Sequence, residues 1–260
     1  MATRNLWTKE ELILAFNLYL KIPFGKMHTS NKDIIHLASL INRTPSSVAL
    51  RLVNFASVDP ALKARGIKGM QGGTKIVQPI WDEFYENQEE LIYKSEEILA
   101  RRENISIENK FKDVLSDIDK IEGKDQLREV KVRVNQSVFR QIVLSNYQFK
   151  CAISNIDIPE LLVASHIIPW SENEKERLNP ENGLCFSSLY DKAFDKGLIA
   201  INEQHQILIS KKLKTHCEKD FYKTYFSIIE SKKINPPERY LPHKEFIQYH
   251  LDVIFSKQNI

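Results

Sequence analysis

LLVASHIIPW at 161–170, NGLCFSS at 182–188 and LYDKAFDKG at 189–197 are the segments on which the reading of this chain turns. The first is rich in bulky, branched residues and predicts a β-strand. The second predicts another strand, and the third a short helix stopped by Gly197. Strand, loop, strand, helix is then the local skeleton, and polar side chains mark each part. His166 sits inside the first apolar strand, Asn182 opens the second, and Asp191 lies on the helix with Asp195 one turn further on. LIAI and ILIS, joined across Asn202 to Gln206, follow as a hairpin.

These residue types suit one chemistry. A histidine of near-neutral pKa can take a proton from water. A carboxylate on a facing helix offers oxygen ligands to a hard divalent cation. Such a cation neutralises charge on a scissile phosphate and stabilises the leaving 3′ oxygen. Asn182 either fixes the loop or orients the histidine. Arg177, in the loop between the strands, either holds a phosphate or is a surface arginine.

The run ASHIIPW…RLNPENGLCFSSLYDKAFDKGLIAI resembles the HNH endonucleases of the ββα-metal class, most of all their bacterial, restriction-type branch. The preceding FRQIVLSNYQFKCAIS is similar to the same branch, so the resemblance spans roughly residues 131–255. It implies that His166 is the general base, that Asn182 is the central asparagine, and that Asp191 replaces the final histidine while keeping a metal-binding side chain. It also implies products with 5′-phosphate and 3′-hydroxyl ends. Two departures matter. Many relatives carry an aspartate metal ligand where this chain has Ser165, so ligation rests on Asp191 with Asp195, Ser165 or water. Many also hold a structural zinc with two Cys-x-x-Cys pairs. Here there are three cysteines, and Cys151 is followed three positions on by Ser154, so four thiolates cannot be assembled and no structural zinc is expected. The expected cofactor is a divalent metal, Mg²⁺ or Mn²⁺.

Upstream, Thr8 and Glu11 read as a capping box, with Trp7 and Leu12 as a hydrophobic staple, and Leu12, Ile13, Phe16 and Leu20 recur at helical spacing. A second helix fits 31–41. A third begins with Thr44 as N-cap and Pro45 in the first turn, where a missing N–H costs nothing. Helix, tight turn, capped helix is the spacing of a helix-turn-helix. Ser46, Ser47, Arg51 and Asn54 lie off its apolar stripe and are of types that contact bases and phosphates. Residues 43–75 are strongly basic, and the Gly- and Lys-rich loop within them, with Lys68, reads as a backbone-contacting loop. One long helix is predicted over 78–102, and residues 104–130 read as a linker. The N-terminal half also resembles the region preceding such nuclease domains in related bacterial proteins.

The chain has 260 residues, 42% hydrophobic and 27% charged, the balance of a globular protein, and a net charge of +3. No run of 18 apolar residues and no secretory signal can be read, and the odd, scattered cysteines fit a reducing cytoplasm. The expected fold class is α+β: a helical DNA-recognition domain over 1–103, a linker over 104–130, and a ββα-metal nuclease domain over 131–260. The expected partners are double-stranded DNA and a second copy of the chain, since one metal site per chain must otherwise cut two strands. Restriction of foreign DNA, modified DNA included, is the leading role. The alternatives are a homing or mobile-element nuclease, and a non-catalytic DNA-binding regulator on a degenerate nuclease fold.

Overall fold

In the computed structural model, residues 6–67, 70–115 and 123–259 are described. The chain divides into two compact units, residues 1–142 and 143–260, each built on its own core. Among the described residues helices dominate the first, and small antiparallel sheets appear only in the second, an α+β protein.

The first unit opens with α1 (Lys9–Lys21), whose capping box is formed in full: Glu11 N–H donates to Thr8 and Thr8 N–H to Glu11. α2 (Lys32–Leu40) is capped by Asn31, and α3 (Pro45–Val58) by Thr44 with proline in its first turn. The turn between them uses Asn42 at φ 57°, a left-handed conformation that asparagine tolerates better than most residues. A short α4 (Pro60–Ala64) follows.

The helix expected over 78–102 is instead two, α5 (Thr74–Phe84) and α6 (Gln88–Arg102). Asn87 separates them because its side chain accepts from Glu90 N–H, a new N-cap inside a continuous apolar pattern. Within the described part of the expected linker, α7 (Ile107–Lys110) forms and α8 (Gly123–Asn146) begins. Leu115, Val130 and Val134 bury together against Tyr93, Ile107 and Phe111.

An aromatic cluster fixes the helices of this unit. Phe16 stacks on Phe55 at 4.7 Å and on Trp81 at 5.0 Å between ring centroids, so α1, α3 and α5 share one core. The buried Tyr19 hydroxyl donates to Asp59 at 2.5 Å, and buried Glu96 pairs with Lys21 and Lys110. Buried charge is tolerated where it is paired in this way.

In the second unit β1 (Leu162–His166) and β2 (Gly183–Ser187) pair antiparallel, with His166 opposite Gly183 and Leu162 opposite Ser187. α9 (Ser188–Asp195) follows β2 directly and packs on both strands. Gly197 ends α9 at φ +64°; a Cβ there would stand 2.6 Å from the Ile254 carbonyl oxygen, so both conformation and space require glycine. β3 (Ile199–Ile201) and β4 (Ile207–Ile209) form the hairpin read from the sequence. α10 (Lys211–Lys214) and α11 (Asp220–Tyr225) lead to α12 (Lys244–Tyr249), which continues into a π-helical turn, His250–Phe255. Cys151 is buried and its sulfur accepts backbone N–H groups from Ser154 and Ser187.

Candidate active site

β1, its following loop and α9 enclose a pocket of about 420 Å³ in the second unit. Its polar lining is Ser165, His166, Asp191, Asp195, Lys196 and His250. Four of these six are residues singled out from the sequence. Lys196 and His250 are additions.

His166 closes β1, where the strand ends and its side chain turns toward the pocket. Its Nε2 lies 2.9 Å from the carbonyl oxygen of Arg177. A carbonyl can only accept, so Nε2 carries the proton and the lone pair resides on Nδ1. Burial holds the imidazole pKa below its ordinary value, while the Arg177 carbonyl and Asp191 pull the other way. The ring is therefore neutral at pH 7, the state that a general base requires. Trp170 stands edge-on to it, 5.5 Å between ring centroids, and walls one side.

Asn182 is almost completely buried, and its amide is used up in the loop. Its Oδ1 accepts from Ile168 N–H at 2.8 Å, and its Nδ2 donates to the carbonyls of Ile168 and Glu176. Of the two roles open from the sequence, the geometry gives it the fixing of the loop. It does not line the pocket among the described residues. Arg177 is occupied likewise: Nε donates to the Trp170 carbonyl at 2.7 Å, the guanidinium lies over the Trp170 ring, and Glu174 pairs with it. With its own carbonyl on His166, Arg177 is a clamp on the loop rather than a free phosphate hand.

Asp191 and Asp195 sit one turn apart on α9, both on the pocket. Desolvation, and then the negative charge of Asp191, raise the Asp195 carboxyl pKa, while Lys192 and Lys196 lower it. Two carboxylates that repel each other are a setting that a bound cation relieves. Ser165 Oγ is buried without a hydrogen-bond partner, a further oxygen facing no donor. This donor chemistry fits a hard divalent ion. Among the described residues, no three His, Cys, Asp or Glu side chains are already gathered closely enough to hold one.

His250 had no signal in the sequence. The chain brings it from the far C-terminal segment to stack on Phe194 at 3.7 Å between ring centroids, and its Nε2 donates to the Phe194 carbonyl. Burial drives its pKa down to about 4.

The DNA-contact residues expected in the first unit divide. Ser46 is exposed and Ser47 half-exposed at the start of α3. Arg51 is not available to read bases: it is 7% exposed, lies under Trp7, and donates to Asn54 Oδ1 at 3.0 Å. Asn54 is buried as well and donates to the Met70 carbonyl. The apolar stripe of α3 is wider than the sequence pattern implied, because the 70–73 segment covers its flank. Lys68 lies outside the described residues.

Residues 151–202 match the HNH endonuclease family, a stretch that contains β1, β2, α9 and β3. A search of curated proteins gave no match. The matched domain is that of a nuclease, a class that acts on DNA and generally works with a divalent metal ion. No helix among the described residues is long and apolar enough to cross a membrane.

Proposed function

We propose that this HNH domain makes the chain a metal-dependent DNA endonuclease that restricts foreign DNA, with His166 as the general base. The single observation that carries this is the His166–Arg177 hydrogen bond, which leaves the neutral imidazole with its lone pair on Nδ1 beside two carboxylates. His166 takes a proton from water, and the oxygen so activated attacks phosphorus. The bond to the 3′ oxygen breaks, that oxygen gains a proton from solvent, and the products carry a 5′-phosphate and a 3′-hydroxyl. Asp191, with Asp195 or Ser165, would hold the ion, Mg²⁺ or Mn²⁺. When bound it neutralises phosphate charge and stabilises the leaving oxygen. Asn182 and Arg177 position the loop on which His166 depends. The helical first unit, through Ser46, Ser47 and the basic segment, supplies DNA recognition, and two copies of the chain act on the two strands.

Ser165, standing where many relatives carry a carboxylate, favours a second reading: a DNA-binding regulator that no longer cuts. Purified protein incubated with supercoiled plasmid and Mg²⁺ or Mn²⁺ decides between them. The enzyme converts plasmid to nicked or linear form, and chelation stops it. Retarded but intact plasmid at every metal concentration supports the regulator.

A further inference from the structure

Lys196, the C-cap of α9, lines the His166 pocket and is itself exposed. The chain brings two further segments against the turn that follows it. Gly197 lies so close to the C-terminal segment that a Cβ there would stand 2.6 Å from the Ile254 carbonyl oxygen and 3.2 Å from the Phe255 Cα. Ile254 also lines the pocket. The Leu198 carbonyl accepts from Ser210 N–H at 2.9 Å, which fixes the start of α10 beside the same turn. Lys211 N–H then donates to Asn259 Oδ1 at 2.9 Å, and Asn259 Nδ2 donates to the Phe255 carbonyl at 2.8 Å, so the start of α10 and the C-terminal segment are tied together.

Each of these three segments carries an exposed lysine: Lys196, Lys211 and Lys257. None of the three is in an ion pair among the described residues, whereas Lys214 on the same α10 is paired with Glu230. The carboxylates of these segments are Asp195, on the pocket, and Asp252, which accepts from Gln248. Like charges gathered at one edge repel each other, and an anion laid along them relieves that repulsion. The first unit does not meet this need through Arg51 and Asn54, which are buried.

We propose that Lys196, Lys211 and Lys257 form a basic rim on the His166 pocket that holds the phosphate backbone of duplex DNA beside the bond to be cut. An ammonium group is a compact point charge on a flexible stem, suited to phosphates whose exact position varies with sequence. The rim therefore positions the strand and reads no bases. Only glycine at 197 lets the C-terminal segment close in and bring Lys257 to this edge. The inference rests on the nuclease reading for its ligand, and it adds a backbone hold inside the second unit to the recognition proposed for the first.

The test is binding of the full chain to fluorescent DNA duplexes of two unrelated sequences, across a sodium chloride series with chelator present so that nothing is cut. Lys196→Gln, Lys211→Gln and Lys257→Gln should each lower the log–log salt slope by about one unit, and the triple variant by about three, alike on both duplexes. All three side chains are exposed, so the thermal midpoint should not move. Lys214→Gln removes the same charge from a lysine that already has a carboxylate, and its slope should stay at the wild-type value. An unchanged slope in the triple variant overturns the rim. An equal fall in Lys214→Gln makes the effect one of net charge and overturns it as well, and a loss confined to one duplex would make these base contacts instead. Plasmid left intact by the wild type with Mg²⁺ or Mn²⁺ would count against the nuclease reading, while the salt slopes still decide the rim.

Discussion

The Nε2 of His166 lies 2.9 Å from the carbonyl oxygen of Arg177, and that one contact sets which nitrogen of the ring can act as a base. The carbonyl belongs to a loop residue whose own guanidinium is tied to Trp170, and Trp170 in turn stands against the His166 ring. The base is thus held by a closed circuit of loop contacts.

Removing the base should remove cleavage. His166→Ala is expected to lower the rate by roughly 10²- to 10⁴-fold while leaving DNA affinity nearly intact. The pH profile is a further check. Burial lowers the His166 pKa, so the ring stays neutral below its ordinary value, and activity should persist at mildly acidic pH before falling as the ring finally protonates. Single-turnover cleavage from pH 5 to 8 measures this. A rate that already halves near pH 6.5 would contradict the burial effect.

Asp191 should be needed for the metal. Asp191→Ala is expected to abolish metal-dependent cleavage and to weaken Mn²⁺ binding measured by calorimetry on the full chain. Asp191→Asn should also let Asp195 ionise at lower pH, because the like charge that raises its pKa is gone. Wild-type cleavage by Asp191→Ala would shift ligation elsewhere.

Asn182 should behave as a loop fastener. Asn182→Ala leaves the buried Ile168 N–H without its acceptor, a loss of about 1–3 kcal/mol. Urea unfolding should show that loss, and cleavage should fall with it. Asn182→Asp keeps the acceptor oxygen but turns a buried carboxylate oxygen toward the Ile168 and Glu176 carbonyls, so it should be at least as destabilised as the alanine variant. An alanine variant as stable as the wild type would remove this role.

His250 should make the protein acid-sensitive. Its folded pKa, about 4, lies below the ordinary 6.5, so the unfolded chain takes up a proton over that range that the folded chain refuses. Stability from this group is present above about pH 6.5 and lost as pH falls toward 4. The full shift is worth about 3 kcal/mol. Comparing urea midpoints at pH 7 and pH 4.5, His250→Gln should show a flatter dependence, since glutamine can still donate to the Phe194 carbonyl but does not titrate. Identical slopes in the two proteins would exclude His250 as the cause.

The amino-acid sequence by itself determined the local elements. Thr8, Asn31 and Thr44 start helices because their side-chain oxygens satisfy N–H groups a few residues on, and the strand–loop–strand–helix order around His166 and Asp191 is written in consecutive residues. Such signals act over one or two turns, so they survive without knowledge of the fold. Even here a local rule was missed, since Asn87 cuts the 78–102 pattern into two helices by capping from within it.

Only the tertiary structure decided which polar residues meet. Arg51 looks free on a helical wheel, yet Trp7 and the segment reached through Asn54 close over it. Asn182 stands before a glycine in the sequence, and only the folded loop shows its amide spent on Ile168 and Glu176. His250 enters the pocket from a distant segment by stacking on Phe194, a contact with no periodicity to announce it. Burial, pairing and orientation depend on residues far apart in the chain, and no pattern of neighbours encodes them.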